Sequence, residues 1–259
     1  MKNFTKTLVA ATLALGAVSA NASILTSTAD MTGEAWLSVY DSTSAQTFTL
    51  DLGVAGVTAG SLYNQRATAG SLVNVDLTQF ADWNAFLSTA NLATTQYLVA
   101  ANGVSDFTPK IMVTGSNAIK FDGVSFADMG ALATKIGEHV LNVNADSAHS
   151  QDTSFNDTTL VVDGDGHVGQ HNEGAGSNLL WGGAAYNANA GYGNAVDFQL
   201  ATIDLATFSG VQSQFSGQWK LAGDSLTLGV SAVPVPAAVW MFGSALLGLA
   251  GVSRKRKTV

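Results

Sequence analysis

Short runs in which apolar and polar residues alternate recur through the middle of the chain and predict β-strands. Two of these runs, 35–40 and 47–52, flank the turn-like cluster 41–44, so they predict a hairpin. The candidates for its buried face are Trp36, either Val39 or Tyr40, Phe48 and Leu50. Further strands are predicted at 71–76, 96–100, 110–114, 118–121, 158–162, 195–204, 217–221 and 225–230. The many Gly, Asn, Asp and Ser residues between the runs favour short antiparallel strands.

Two segments repeat their apolar residues every three or four positions instead, which is the spacing of one helix face. The first is 78–91, with its stripe at Phe80, Trp83, Leu87 and Ala90. The second is 126–141, where Ser125 is a suitable N-cap and Asp128 follows three residues later. Its stripe comprises Met129, Leu132, Ala133, Ile136 and Val140. Together the patterns predict a mainly β fold, an antiparallel β-sandwich-like body with two short α-helices.

The first 22 residues have the three parts of a secretory signal peptide. Lys2 and Lys6 supply the positive region, and an apolar region follows at 8–18. Ala20-Asn21-Ala22 is a small-residue cleavage site, so the mature chain is expected to begin at Ser23. The chain is therefore expected to be exported across the inner membrane.

The tail, residues 233–259, combines a proline motif, an apolar run and a basic cluster. Residues 237–252 carry no charge, and as a helix they would be about 24 Å long at about 1.5 Å per residue. Snorkelling of the four basic residues 254–257 closes the gap to a bilayer core of about 30 Å. We interpret the run as a transmembrane helix whose basic end stays inside and stops translocation. The alternative is a buried C-terminal helix, which would give the basic cluster no role.

The tail resembles the C-terminal sorting signal of the PEP-CTERM class, in its VPLPA-CTERM variant. The proline motif matches at Val233, Pro234, Val235, Pro236 and Ala237, and the basic cluster at Arg254, Lys255, Arg256 and Lys257. Val235 stands where the variant usually has Leu, and the Glu of the commoner Pro-Glu-Pro form is absent. The resemblance implies that a membrane enzyme, an exosortase, recognises the tail and cuts near the proline motif. It also implies that the body then reaches the cell surface or the exopolysaccharide matrix.

Between signal peptide and tail lies the body, residues 23–232, which is long enough for one large domain or two small ones. No linker divides it clearly, so we expect one domain, with a candidate boundary near residues 145–157. It contains all 19 acidic residues but only five of the 11 basic ones. Nucleic acid and anionic membrane surfaces are poor partners for so acidic a body. The chain has no cysteine, which excludes disulfides, thiolate metal sites and a cysteine nucleophile.

Two groups of residues are candidate ligand sites, each with a structural alternative. Asp163 and Asp165 alternate with glycines, as in a calcium loop, but Asp-Gly is also a strong hairpin-turn signal. Trp181, Tyr186 and Tyr192 lie in the Gly-rich segment 164–193, where aromatic rings can stack on sugars or can cover a β core.

The sequence contains no nucleophile elbow, phosphate loop or dinucleotide fingerprint, and we expect neither an enzyme nor a cofactor. The predicted function is that of an exported, non-enzymatic surface or exopolysaccharide-matrix protein, sorted through its tail. The alternative is a carbohydrate-binding or carbohydrate-cleaving protein with the same destination. A third interpretation keeps the tail as a permanent single-span anchor.

Overall fold

The computed structural model describes residues 31–68, 73–105, 108–115, 121–145, 150–152, 156–161 and 188–230. The strands are β1 (Ala35–Asp41), β2 (Gln46–Asp51), β3 (Val73–Asp76), β4 (Thr95–Ser105), β5 (Thr108–Thr114), β6 (Ser150–Asp152), β7 (Asn156–Val161), β8 (Ala190–Gly191), β9 (Ala195–Asp204), β10 (Ser209–Ala222) and β11 (Ser225–Val230). The α-helices are α1 (Ala59–Gln65), α2 (Ala81–Thr89) and α3 (Phe126–Ala145), and a 3₁₀ turn spans Leu52–Ala55.

All the described strands belong to one sheet. Its order is β3-β11-β10-β9-β5-β4-β1-β2-β7-β6, with β8 paired to β4, and every pairing is antiparallel. The prediction of a mainly β, antiparallel fold is therefore confirmed. The described strands do not divide into the two sheets of a sandwich, and three α-helices are present where the sequence predicted two.

The sheet buries side chains on both faces, which alternate along each strand as the pleat requires. One face carries the larger core, to which β1 contributes Leu37 and Val39 and β9 contributes Phe198. The other carries a second core beneath α3, with Trp36 from β1 and Ile203 from β9. The sequence offered several candidate residues for one buried face of the first hairpin. In the structure both faces of the hairpin are buried.

The sheet curls around the larger core. The Tyr97 hydroxyl on β4 lies within hydrogen-bond distance of the Asn194 carbonyl, at 2.8 Å, and of the Trp219 carbonyl on β10, at 3.0 Å, although β5 and β9 lie between β4 and β10. In a flat sheet, three strand spacings would separate them by about 14 Å. Burial raises the pKa of the Tyr97 hydroxyl far above its ordinary value, so it remains a donor.

Helix α2 packs inside the curl and joins its two halves. The Trp83 ring lies 5.3 Å from the Phe48 ring on β2 and 5.7 Å from that of Phe86. On the opposite side, Trp83 Nε1 donates to the Asp224 carboxylate in the β10–β11 turn at 3.1 Å. One side chain thus connects strands that are far apart in the sheet order.

Helix α3 covers the other face and follows the sequence prediction closely. Ser125 caps it, because its hydroxyl accepts the Asp128 N–H at 3.1 Å. The predicted stripe faces the second core, with Met129, Leu132, Ile136 and Val140 buried and Ala133 packed against them. Helix α1 was not predicted; it begins after Thr58, which forms a capping box with Ser61.

The β1–β2 turn is fastened to the loop after α2 by one buried carboxylate. Asp41 accepts hydrogen bonds from the N–H groups of Thr43, Ser44 and Asn91 and from the hydroxyls of Ser44 and Thr94. Burial raises the pKa of this carboxyl, but the hydrogen bonds outweigh burial and hold the pKa well below its usual range. The charged form is therefore bound into the fold.

We expect Asp41→Asn to lower the free energy of unfolding by about 2–3 kcal/mol at pH 7, since it removes the charge that five donors share. A depressed folded-state pKa stabilises the protein above the unfolded-state pKa of about 4 and loses this effect as the pH falls further. The difference between wild type and variant, measured by urea denaturation, should therefore narrow below about pH 4. A difference that stays constant down to pH 3 would contradict this assignment.

The loop before α3 lies directly against β10 because residue 210 has no side chain. Gly210 donates its N–H to the Val124 carbonyl at 2.6 Å and accepts the Gly123 N–H at 2.9 Å. A Cβ at this position would lie 2.2 Å from the Phe121 carbonyl oxygen, which is backbone and cannot swing away.

We expect Gly210→Ala to destabilise the protein by about 2–3 kcal/mol, because the added methyl forces backbone apart. Gly130→Ala is the matched control, since a Cβ there meets nothing within 4 Å in the middle of α3. That change should stabilise the protein by up to about 1 kcal/mol through helix propensity. Thermal unfolding followed by circular dichroism measures both, and equal melting temperatures for the two variants would refute the packing argument.

Candidate functional site

Most of the residues singled out in the sequence lie outside the described residues. This applies to the signal-peptide site (Ala20, Ala22, Ser23), the proline motif 233–237, the basic cluster 254–257, the aspartates Asp163 and Asp165, and the aromatic residues Trp181 and Tyr186. Tyr192 is the predicted ligand residue that the structure describes. None of the helices in the described ranges is long and apolar enough to cross a membrane, and the run 237–252 is not among them.

The end of β11 is the described part of the chain nearest to the proline motif. Val230 pairs with Gly217 on β10, which closes the β10–β11 ladder. One residue earlier in β10, the Ser216 N–H donates to the Arg66 carbonyl at 2.9 Å. The loop after α1 therefore takes the hydrogen bond at the place where the ladder stops. Between residues 214 and 218 the register of β10 against β9 also shifts, as in a β-bulge.

Tyr192 is half-buried and fixed at the end of the sheet that carries the β10–β11 turn. Its hydroxyl donates to the Gly223 carbonyl at 2.7 Å, and its ring packs against the larger core. Burial raises the pKa of this hydroxyl, and the nearby negative charge of Asp224 raises it further. The ring is thus held by both ends, in a position that covers the core and leaves part of it exposed.

The short strand β8 and its neighbours fasten the backbone around Tyr192 to β4. Asn189 Nδ2 donates to Gln96 Oε1, and the Tyr192 N–H donates to the Thr95 carbonyl at 2.9 Å. Asn189 Oδ1 is buried and has no hydrogen-bond partner among the described residues. A partly exposed aromatic ring held in a fixed position is chemically suited to stack on the apolar face of a sugar. We call Tyr192, with the Thr95 and Gly223 carbonyls that hold it, the Tyr192 site.

One buried cation was missed by sequence reasoning. Lys110 on β5 is only 8% exposed, and its ammonium group donates to the hydroxyls of Thr108 and Thr202 at 2.7 and 2.8 Å. The strand pattern around Lys110 gave no sign of its burial, because its hydrogen-bond partner Thr202 comes from β9, 92 residues later.

The hydrogen bonds of the described acidic side chains indicate a structural role. Asp51 accepts the Gly53 N–H at the start of the 3₁₀ turn, Asp76 binds Thr78, and Asp204 binds the β9–β10 turn. Within the ranges that the structure describes, no group of three or more His, Cys, Asp or Glu residues could hold a metal ion.

Comparison with known proteins places this chain in no family. No family profile, no curated protein and no solved structure matches it.

Proposed function

We propose that this chain is an exported, non-enzymatic protein of the cell surface or exopolysaccharide matrix. Residues 237–252 hold the body at the inner membrane, and the basic cluster 254–257 stops translocation. An exosortase-type enzyme then recognises the proline motif 233–237 and releases the body. The support for the address comes from the sequence of the tail, whose three parts stand in the order of a sorting signal.

The observation that carries the proposal is the distance along the chain between the last strand and the motif. β11 ends at Val230, and only two residues separate it from Val233. The sheet offers little for the chain to pair with beyond that point, because the Arg66 carbonyl already accepts the Ser216 N–H. Pro234 and Pro236 have no N–H to donate to a ladder. A processing enzyme would therefore meet an extended segment directly after a folded body.

The use of polar groups in the body supports a structural role. The Asp41 carboxylate accepts hydrogen bonds from five donors, and the Asp224 carboxylate accepts one from Trp83. Groups engaged in this way stabilise the fold and hold particular loops together. A matrix protein needs such stability, because without cysteine it has no disulfides to resist unfolding outside the cell.

Intact-mass spectrometry of the surface fraction tests the proposal. The expected mass is that of a chain beginning at Ser23 and lacking the apolar run and basic cluster. Replacing both Pro234 and Pro236 by Ala should cause the full tail to be retained in the membrane fraction, because the segment can then continue as helix or strand. Thr258→Ala, beyond the basic cluster, is the control and should be processed normally. A surface form that still carries residues 237–259 would instead indicate a permanent single-span anchor.

The Tyr192 site favours carbohydrate binding as a second candidate function, with the exopolysaccharide as the partner. Its half-exposed ring is immobilised by the hydrogen bond to Gly223, and a fixed ring loses little entropy when a sugar stacks on it. A carbohydrate-cleaving version would in addition require turnover that disappears when a single carboxylate is replaced.

Glycan-array binding of three variants tests this second candidate. Tyr192→Ala should abolish binding, whereas Tyr192→Phe should keep the ring and the binding and lose only about 1 kcal/mol of stability with its hydrogen bond. Tyr63→Ala is the control, since Tyr63 is an aromatic residue on α1 whose ring packs under Arg66 at 4.1 Å. If Tyr192→Ala binds glycans as well as Tyr63→Ala does, the Tyr192 site is not a sugar platform.

A further inference from the structure

The turn between β9 and β10 presents large apolar side chains to solvent. Phe208 is 64% exposed and Leu205 is 53% exposed. Among the other large apolar residues of the described ranges, only Leu141 is exposed to a similar extent. Phe126, 45% exposed, lies at the same place, because Ser125 and Ser209 form an antiparallel bridge next to it. Exposed apolar side chains gathered at one turn mark a surface for contact with something apolar.

Hydrogen bonds fix the turn, and the backbone conformation at residue 208 is unfavourable for Phe. Asp204 binds the Ala206 N–H at 2.9 Å and the Thr207 hydroxyl at 3.1 Å, which fixes the turn. Phe208 has a φ of 52°, the left-handed region in which Asn or Gly is favoured and a bulky side chain is strained. Folding alone would therefore be better served by Asn at this position.

The direction of β11 places this turn on the membrane side of the body. β10 starts beside the turn at Ser209 and runs away from it, and β11 runs back towards it and ends opposite Gly217. Eight residues of β10 separate Gly217 from Ser209, about 26 Å at about 3.3 Å per residue. Seven residues lead from Val230 to Ala237, where the apolar run begins, a reach of up to about 24 Å. A fully extended segment therefore brings the start of the anchor to within a few ångströms of the level of Ser209.

Charge narrows the kind of lipid surface that fits. Residues 195–219 contain no Lys or Arg, and their charged residues are Asp197 and Asp204. The ammonium group of Lys110, which donates to the Thr202 hydroxyl, is buried, so this segment offers no exposed cation to anionic headgroups and its contact comes from apolar insertion among neutral headgroups.

We propose that Leu205, Phe208 and Phe126 insert into the headgroup region of a zwitterionic lipid surface while the uncut tail holds the body at the membrane. The proposal depends on the proposed function, because the anchor supplies the high local concentration that makes so small a contact effective. The contact orients the body so that the β9–β10 turn faces the bilayer. The end of the sheet towards which β11 runs faces the bilayer as well. It is lost when the tail is cut.

The absence of cysteine makes a site-specific test straightforward. Ala206→Cys places a single thiol in the exposed turn, and Ser42→Cys places one in the β1–β2 turn at the opposite end of the sheet. The mature full chain, residues 23–259, is labelled with a fluorescent probe and reconstituted into phosphatidylcholine bilayers that contain lipids with a spin-label quencher. We expect quenching at residue 206 and none at residue 42. Addition of anionic lipid should not increase it.

A folded variant separates contact from stability. Leu205→Gln combined with Phe208→Asn removes the apolar side chains, and Asn suits the left-handed backbone at 208. In the Ala206→Cys background this variant should lose the quenching while its melting temperature stays the same or rises. Quenching that persists in the folded variant would overturn the proposal.

Three other outcomes are also decisive. A chain that alkaline carbonate extracts from the bilayers overturns both this proposal and the membrane anchor on which it depends. A chain that stays in the bilayer with an unquenched probe at residue 206 overturns the proposal alone. A probe at residue 206 that is shielded without lipid quenching, in proportion to the protein-to-lipid ratio, shows that a second copy of the chain covers the turn and also overturns it.

Discussion

The curl of the sheet is the constraint on which the rest of the structure depends. A flat sheet of this many strands would leave one face without a partner, since the described ranges contain only three α-helices to cover it. Curling lets the strands cover each other's side chains, and the hydrogen bond from Tyr97 on β4 to the Trp219 carbonyl on β10 measures how far it goes. Helix α2 fills what remains, through Trp83.

Local periodicity explains which features were predictable from the sequence. The strands 195–204 and 225–230 were predicted with the bounds that the structure gives, because their apolar residues alternate and a turn borders each of them. The stripe of α3 was predicted for the same reason: one helix face meets one core. Local patterns suffice wherever a segment is buried by its own periodicity.

The curl itself could not be predicted, because it joins residues that are distant in the sequence. The sequence around Tyr97 gives no indication of its contact with Trp219, which lies 122 residues later. A sandwich of two sheets and a curled single sheet require the same alternation in each strand, and the difference lies only in which strands pair. Helix α1 was not predicted because it has only seven residues, with Gly60 in its first turn, and shows no apolar stripe. Of the Tyr192 site, the ring was predicted, whereas the Thr95 and Gly223 carbonyls that hold it come from distant parts of the chain.

The functional account connects this fold to the tail through the end of β11. The strand belongs to the sheet up to Val230, and the motif begins at Val233, so only two residues separate the body from the proposed sorting tail. In the proposed arrangement the acidic body lies on one side of the membrane and the basic cluster on the other, in agreement with the distribution of charge along the chain.

Protease treatment of spheroplasts tests that arrangement most directly, in a host that lacks the processing enzyme and therefore keeps the tail uncut. The account predicts that protease added outside digests the body while a peptide containing residues 237–259 stays in the membrane. A body that survives until the membrane is lysed, or a membrane that retains no such peptide, would contradict it.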